Sequence, residues 1–272
     1  MDYRVSKRFV VSATMVLVGA MSSTSAQNNI DPSGRYSGVD IGLVEISCDY
    51  GERGRGRRRG VLVDNETPDA EFEVVLTAAH GFPQSTQELL QICFLPIDDE
   101  TNYPIADVWR PDQIDSGYSD DWAVLLIRGR LTGSATRHPL APIERPDLRE
   151  MMSSDSAVRL PLRFAPTERP CELTQDRLLR EQVDSGLLAH NCESWRGHSG
   201  SPILIELDGQ TFVLGLHLGS RWLFETKEAL PLGRYVDRRI SDAVSAAIEA
   251  GQSLEPLPEA SRSGWLQRLF GR

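Results

Sequence analysis

Apolar residues recur along the chain in short runs, some alternating with polar residues and others apolar throughout. Alternation indicates a half-buried strand, and a short continuous apolar run indicates a strand that is buried on both faces. We predict strands at residues 39–48, 60–63, 72–77, 89–95, 122–127, 157–164, 186–189, 202–207 and 211–218. Asp208-Gly209 separates the last two runs and is a strong hairpin signal. Many short strands with few helices predict an all-β barrel or sandwich.

Three other segments complete the predicted organisation. Apolar residues at helical spacing, followed by Gly251, predict a C-terminal α-helix over residues 234–250. Residues 136–150 are polar and rich in proline, and we interpret them as a linker between two halves. Arginines crowd the segment from Arg53 to Arg59 between glycines, which predicts an exposed loop. Such a loop either steers anionic partners or is simply solvated.

The N-terminus has the pattern of a signal peptide over residues 1–26. Lys7 and Arg8 precede an apolar run of about twelve residues, and small residues lead to Ala26. The run is too short to cross about 30 Å of hydrocarbon comfortably. We therefore predict an exported protein, periplasmic or secreted, with a polar leader at residues 27–37. An uncleaved anchor is the alternative.

Composition limits the classes of function. The 272 residues are 40% hydrophobic and 25% charged, which excludes a mainly disordered, collagen-like or polytopic membrane protein. The formal net charge of −10 argues against nucleic-acid binding as the main role, because phosphate backbones would be repelled.

The chain has four cysteines, Cys48, Cys93, Cys171 and Cys192. Their spacing contains no C-x-x-C pair, which argues against a zinc ribbon. An even count in an oxidising compartment predicts two disulfides, for which three pairings are possible. We favour Cys48–Cys93 and Cys171–Cys192, one in each half of the chain. Four buried free thiols are the alternative.

Three short segments carry the candidate chemistry. Ala78-Ala79-His80 follows a predicted strand, Asp120-Asp121-Trp122 precedes another, and Gly197 to Pro202 reads Gly-His-Ser-Gly-Ser-Pro. A serine hydroxyl needs a base of pKa near 7 to become a nucleophile, and histidine supplies it. A carboxylate fixes the tautomer of the imidazole and stabilises its charged form. The backbone N–H groups of Gly197 and Ser199 are the expected donors to a developing oxyanion.

On these motifs the chain resembles the trypsin-like serine endopeptidases, and most closely the bacterial branch with the V8-type glutamyl endopeptidases. The resemblance implies two antiparallel six-stranded β-barrels, at residues 38–135 and 151–233, with the active site between them and a C-terminal helix. It also implies that His80 is the general base, that Asp121 orients it and that Ser199 is the nucleophile. Asp120 is the alternative acid. No cofactor or metal is implied, and we expect a monomer that takes a polypeptide substrate.

The chain departs from the family pattern beside the serine. His198 stands where the animal enzymes have an aspartate that pairs with a newly cut N-terminus, so activation by that ion pair is not expected. Cys192-Glu193-Ser194 precedes the serine loop where bacterial members tend to have Cys-Asp-Thr. The branch to which this pattern is most similar is therefore the bacterial one.

The resemblance also suggests substrate-binding residues. Ser194 and His217 stand where members specific for glutamate carry a hydroxyl and a histidine that hydrogen-bond the substrate carboxylate. Backbone at Leu218 and Gly219 should line the groove and pair with a peptide. Glu193 would instead repel an acidic side chain, and His217 has the alternative role of a buried histidine satisfied by a carbonyl.

The tail, residues 251–272, contains a short amphipathic segment. Trp265, Leu266, Leu269 and Phe270 would share one helical face, which either contacts a membrane surface or partner or packs on its own domain. A catalytically silent trypsin-fold module that binds peptide or protein is the alternative function. An esterase of the α/β-hydrolase type would order its residues Ser, Asp, His, and this chain has His, Asp, Ser.

Overall fold

A computed structural model describes residues 42–67, 70–97, 101–113, 118–131, 135–141, 157–159, 170–173, 186–192, 194, 197–223 and 227–255. The predicted signal peptide and polar leader, most of the linker, Glu193 and the apolar residues of the tail lie outside these ranges. The predictions for those segments stay predictions, as do the proposed domain boundaries.

The first half of the chain forms a closed, antiparallel six-stranded barrel. Its strands are β1 (Leu43–Asp49), β2 (Arg55–Val63), β3 (Phe72–Thr77), β4 (Cys93–Pro96), β5 (Asn102–Trp109) and β6 (Ala123–Arg128). They close in the order β1-β2-β3-β6-β5-β4. Val75 and Leu125 face the barrel interior, whereas Val74 and Leu126 pack toward the second half of the chain. This two-sided burial explains why β3 and β6 are mostly apolar, and the buried Glu73 of β3 is paired with Arg137.

The second half contributes a six-stranded antiparallel sheet. Its strands are β7 (Ala157–Arg159), β8 (Pro170–Glu172), β9 (Leu187–Ala189), β10 (Pro202–Leu207), β11 (Gln210–Leu223) and β12 (Glu228–Tyr235). Their order is β8-β7-β10-β11-β12-β9. The two edges of this sheet come together at one isolated bridge between Leu173 and His190. The predictions of an all-β class and of a first six-stranded barrel are confirmed.

Two α-helices lie within the described residues, α1 (Thr86–Ile92) and α2 (Arg238–Gln252). The predicted C-terminal helix is present but begins later than residue 234, because Arg234 still belongs to β12. The Asp237 side chain accepts a hydrogen bond from the Ile240 amide at 3.2 Å and caps α2. The buried side of α2 packs on the face of β3 and β6 that the barrel interior does not use. Neither helix is long and apolar enough to cross a membrane, within the ranges that the structure describes.

Two local predictions were wrong. The arginine-rich segment is not a loop, because only a short turn around Gly51 and Gly54, both at positive φ, separates β1 from β2. The first part of 89–95 is helical, because Ser85 caps α1 through a hydrogen bond from the Glu88 amide at 3.3 Å. Strands β5, β8 and β12 were not predicted.

Both favoured disulfides are confirmed. Cys48 and Cys93 form one bond between the paired strands β1 and β4. Cys171 of β8 bonds to Cys192, which follows β9. Each disulfide therefore lies within one half of the chain, as expected.

Candidate active site

The strand register of the barrel brings His80 and Asp121 together. Thr77 of β3 pairs with Ala123 of β6, so the residues just after β3 meet those just before β6. The Asp121 carboxylate contacts His80 twice: Oδ2 lies 2.5 Å from Nδ1, and Oδ1 accepts the backbone N–H at 2.7 Å. Asp121 is fully buried, whereas the His80 side chain is 38% exposed. This arrangement puts the Nδ1 proton against the carboxylate and leaves Nε2 as the acceptor.

The neighbouring carboxylate, Asp120, makes a different contact. Its Oδ1 lies 2.7 Å from Nη1 of Arg239 on α2. Arg234, which is almost fully buried, donates from Nε to the Ser119 carbonyl at 2.7 Å and from Nη2 to Asp237 at 2.6 Å. The two arginines thus connect β12 and α2 to the loop that carries Asp121. The geometry separates the two candidate acids: Asp121 faces His80, and Asp120 faces the helix.

The serine loop lies at the junction between the barrel and the second sheet. The Gly200 amide donates to the His217 carbonyl at 2.8 Å, and the His217 amide donates to Ser201 at 2.8 Å. Gly200 has a φ of +84°, and a Cβ there would lie 2.1 Å from the Arg59 carbonyl of β2. Only glycine tolerates both the conformation and the close backbone approach. The loop is therefore held between β11 and β2.

Ser199 itself lies beside β11. Its Oγ donates to the Leu218 carbonyl at 3.0 Å, and no hydrogen bond joins it to His80 in the described part of the chain. Catalytic hydrogen bonds are often long in the absence of substrate. Within the same ranges the backbone amides of Gly197 and Ser199 donate to no protein acceptor. Both amides are therefore available to a ligand, in keeping with the role expected of them.

His217 forms a buried pair with a histidine that sequence reasoning did not single out. Nε2 of His190 lies 3.1 Å from Nδ1 of His217, and both side chains are at most 2% exposed. The Cys192 amide donates to Nδ1 of His190 at 3.2 Å, so the His190 proton is on Nε2. That proton is donated to His217, whose own proton is consequently on Nε2. The only sequence signal for His190 is its place two residues before Cys192, at the end of a strand.

Burial keeps this pair neutral. It lowers the pKa of His190 to about 4. Burial also lowers the pKa of His217 to about 3, and electrostatic repulsion from nearby basic groups, His190 first among them, acts in the same direction. The backbone hydrogen bonds of His217 to Gly200 and Ser201 place it beside the serine loop.

These low pKa values predict a loss of stability in acid. An unfolded histidine takes up a proton near pH 6.5, whereas the folded pair does so only near pH 4 and below. The unfolded state then binds more protons. The free energy of unfolding therefore decreases as the pH is lowered, by about 1.4 kcal/mol per pH unit for each histidine. Chemical denaturation at pH 6 and pH 5 should show a shallower fall for His217→Leu than for the wild type. Equal falls would contradict burial of a neutral His217.

The remaining predicted site residues, and His198 beside the serine, differ in burial. Ser194 is half-buried, and His198 is buried, with its pKa lowered to about 4 by burial and by the Arg59 charge. Leu218 is buried and Gly219 has a φ of +155°, at the point where the pairing of β11 with β12 shifts register.

Comparison of the chain with protein-family models gives no match, and comparison with curated proteins gives none either.

Proposed function

We propose that this protein is an exported serine endopeptidase that acts through His80, Asp121 and Ser199. The observation that carries the proposal is the double contact of a fully buried Asp121 carboxylate with His80. A carboxylate in that position orients the imidazole and stabilises its protonated form, while Nε2 stays free to accept a proton. A histidine with a purely structural role would not need a buried carboxylate on Nδ1 while its own side chain stays 38% exposed.

The chemistry follows from these groups. Nε2 of His80 accepts the Ser199 hydroxyl proton as Oγ attacks the peptide carbonyl. The amides of Gly197 and Ser199 donate to the oxyanion. His80 then gives the proton to the departing amine, and the acyl-enzyme forms. Water, deprotonated by His80, releases the acid and restores Ser199. Rotation of Oγ away from the Leu218 carbonyl precedes the first step.

The proposal includes the finer features of the family that the chain resembles. The bridge between Leu173 and His190 supports closure of the second sheet into a barrel. The two disulfides are compatible with an oxidising, exported location. Polypeptide substrates would pair with the edge of β11 near Gly219.

We also propose a preference for an acidic residue on the acyl side of the scissile bond. The histidine pair supports it, because the tautomers leave the Nε2–H of His217 as a donor. An N–H donor that is already oriented donates a hydrogen bond to a substrate carboxylate without reorganisation of the site. The positive charge of Arg59, which acts on His217, favours a carboxylate in the same place.

A catalytically silent peptide-binding module is the second candidate. It is favoured by one observation, the hydrogen bond of Ser199 Oγ to the Leu218 carbonyl rather than to His80. Such a module would retain the groove along β11 and bind peptide without cleaving it.

A fluorophosphonate probe separates the two candidates. We expect purified protein to form one covalent adduct, located by mass spectrometry on Ser199, because only an activated serine attacks the phosphorus centre. Ser199→Ala should not be labelled, and Ser201→Ala should be labelled like the wild type. Absence of label on folded protein would favour the silent module. Label on another residue would overturn the assignment of the nucleophile.

A further inference from the structure

A basic row runs along the outer half of β2, on a chain whose net charge is −10. Between residues 45 and 59 there are five arginines and three acidic residues. Arg55, Arg57 and Arg59 alternate along the strand and so share one face. Arg55 lies over the Phe94 ring at 5.9 Å, which holds its guanidinium against the barrel. Both Arg55 and Arg57 are exposed.

Acidic side chains of the same hairpin leave Arg55 and Arg57 exposed. Glu45 lies 3.4 Å from Arg57, whose side chain is still 58% exposed. Asp49 accepts a hydrogen bond from the Gly51 amide, and Glu52 is exposed in the turn. An exposed ion pair such as Glu45–Arg57 contributes little, so a second carboxylate can share the arginine.

The inner end of the row reaches the serine loop. Arg59 is only 8% exposed, and its guanidinium donates to the Ser201 hydroxyl at 3.4 Å, two residues beyond Ser199. Along an extended strand, the next two arginines of the row follow at steps of about 7 Å. A peptide that leaves Ser199 in extended conformation covers the same distance in two residues per step. Its second and fourth residues would therefore reach Arg57 and Arg55.

The backbone beside the row lacks a strand partner on one edge, where the Arg57 carbonyl accepts from the Arg58 guanidinium and the Arg59 carbonyl accepts from the Thr77 hydroxyl. Strand β3 pairs with β2 only from Gly60 onward, and no other strand in the described residues pairs with that edge of residues 55–59. Tyr50 Oη and Arg58 both donate to the Gly81 carbonyl, at 3.0 and 2.7 Å, so the hairpin is tied to the residue after His80. An edge of a strand that has no strand partner, here next to the proposed catalytic histidine, can accept an extended peptide as an added strand.

We propose that Arg55 and Arg57 select acidic residues of the substrate on the leaving-group side of the scissile bond. This inference rests on the proposed function. If the acyl part of the substrate lies along β11, beside Leu218, the amine part must extend from Ser199 toward β2, which Gly200 contacts on the opposite side. The arginine row then lies under the second and fourth residues after the cleaved bond.

The test uses peptide pairs that differ only at those two positions, Glu in one and Gln in the other. We expect the acidic peptide to have a kcat/KM higher by about fivefold at low ionic strength, the size typical of two exposed ion pairs. The difference should shrink at about 1 M salt, where the Debye length is about 3 Å. It should also disappear in Arg55→Gln/Arg57→Gln and persist in Arg55→Lys/Arg57→Lys.

A p-nitrophenyl ester, which has no residues after the scissile bond, serves as the reference substrate. Arg55→Gln/Arg57→Gln should hydrolyse it like the wild type. Lys227→Gln/Arg238→Gln removes the same charge from two exposed residues elsewhere and should keep the preference for the acidic peptide. Equal rates on both peptides, with normal ester hydrolysis, would overturn this inference and leave the proposed function standing. Failure to hydrolyse the ester or to react with a fluorophosphonate would overturn both.

Discussion

Replacement of Asp121 by asparagine is expected to lower kcat for peptide hydrolysis about 10⁴-fold, with the fold unchanged. The asparagine amide can donate to Nδ1 of His80, where the carboxylate now accepts. The proton of the imidazole would then move to Nε2, and His80 would lose the lone pair that accepts the Ser199 proton. The measurement is kcat on the best peptide substrate, with circular dichroism to show that Asp121→Asn is folded.

Asp120→Asn is the matched control for that experiment. The two residues are adjacent and carry the same charge, but Asp120 contacts Arg239 on α2 rather than His80. We expect Asp120→Asn to retain most of the activity. Equal losses in the two variants would contradict the assignment of Asp121, and a larger loss in Asp120→Asn would reverse it.

Replacement of His217 by leucine is expected to lower kcat/KM about 30-fold or more for substrates with glutamate on the acyl side of the cleaved bond. The leucine removes the Nε2–H donor and leaves a buried substrate carboxylate without its partner. Cleavage after leucine or glutamine should change much less. The measurement is the ratio of kcat/KM values for matched peptides that differ only in this residue.

His138→Leu controls for the loss of a buried histidine as such. His138 is buried beside β2, where its backbone bridges to Val63, and the proposed pocket does not include it. We expect that variant to keep the wild-type ratio. If His217→Leu lost activity equally on all substrates, His217 would have a structural role. If the wild type preferred lysine or arginine on the acyl side of the cleaved bond, the substrate preference would be set by the negative charge of Glu193 instead.

The proposed catalytic residues could be named from the sequence because each lies in a short motif whose chemistry is local. The order His80, Asp121, Ser199 and the glycines around the serine are visible without any contact information. The apolar run of β10, with Asp208-Gly209 after it, likewise indicates a hairpin through local hydrophobicity and turn chemistry alone. Strand β3, which is buried on both faces, was predicted from its short and mostly apolar run.

Other features were missed because polar runs and short apolar runs each fit more than one local structure. The arginine-rich segment of β2 was predicted to be a loop, because a run of such polar side chains usually indicates a segment exposed to solvent on every side. The segment forms a strand because β1 pairs with it along one edge. The helix α1 was not predicted, because the apolar run at residues 89–95 fits a strand as well as a helix.

The sequence by itself determined the all-β class and the three residue types of the proposed nucleophilic site, and it left three disulfide pairings possible, between which the structure decided. It determined the class and the residue types because hydrophobic period, turn residues and motif order are properties of neighbouring positions. Only the tertiary structure decided between Asp121 and Asp120, paired His190 with His217 and set the arginines of β2 beside the serine loop. These outcomes depend on strand register and on packing between the two halves of the chain, which bring together residues that no local pattern relates.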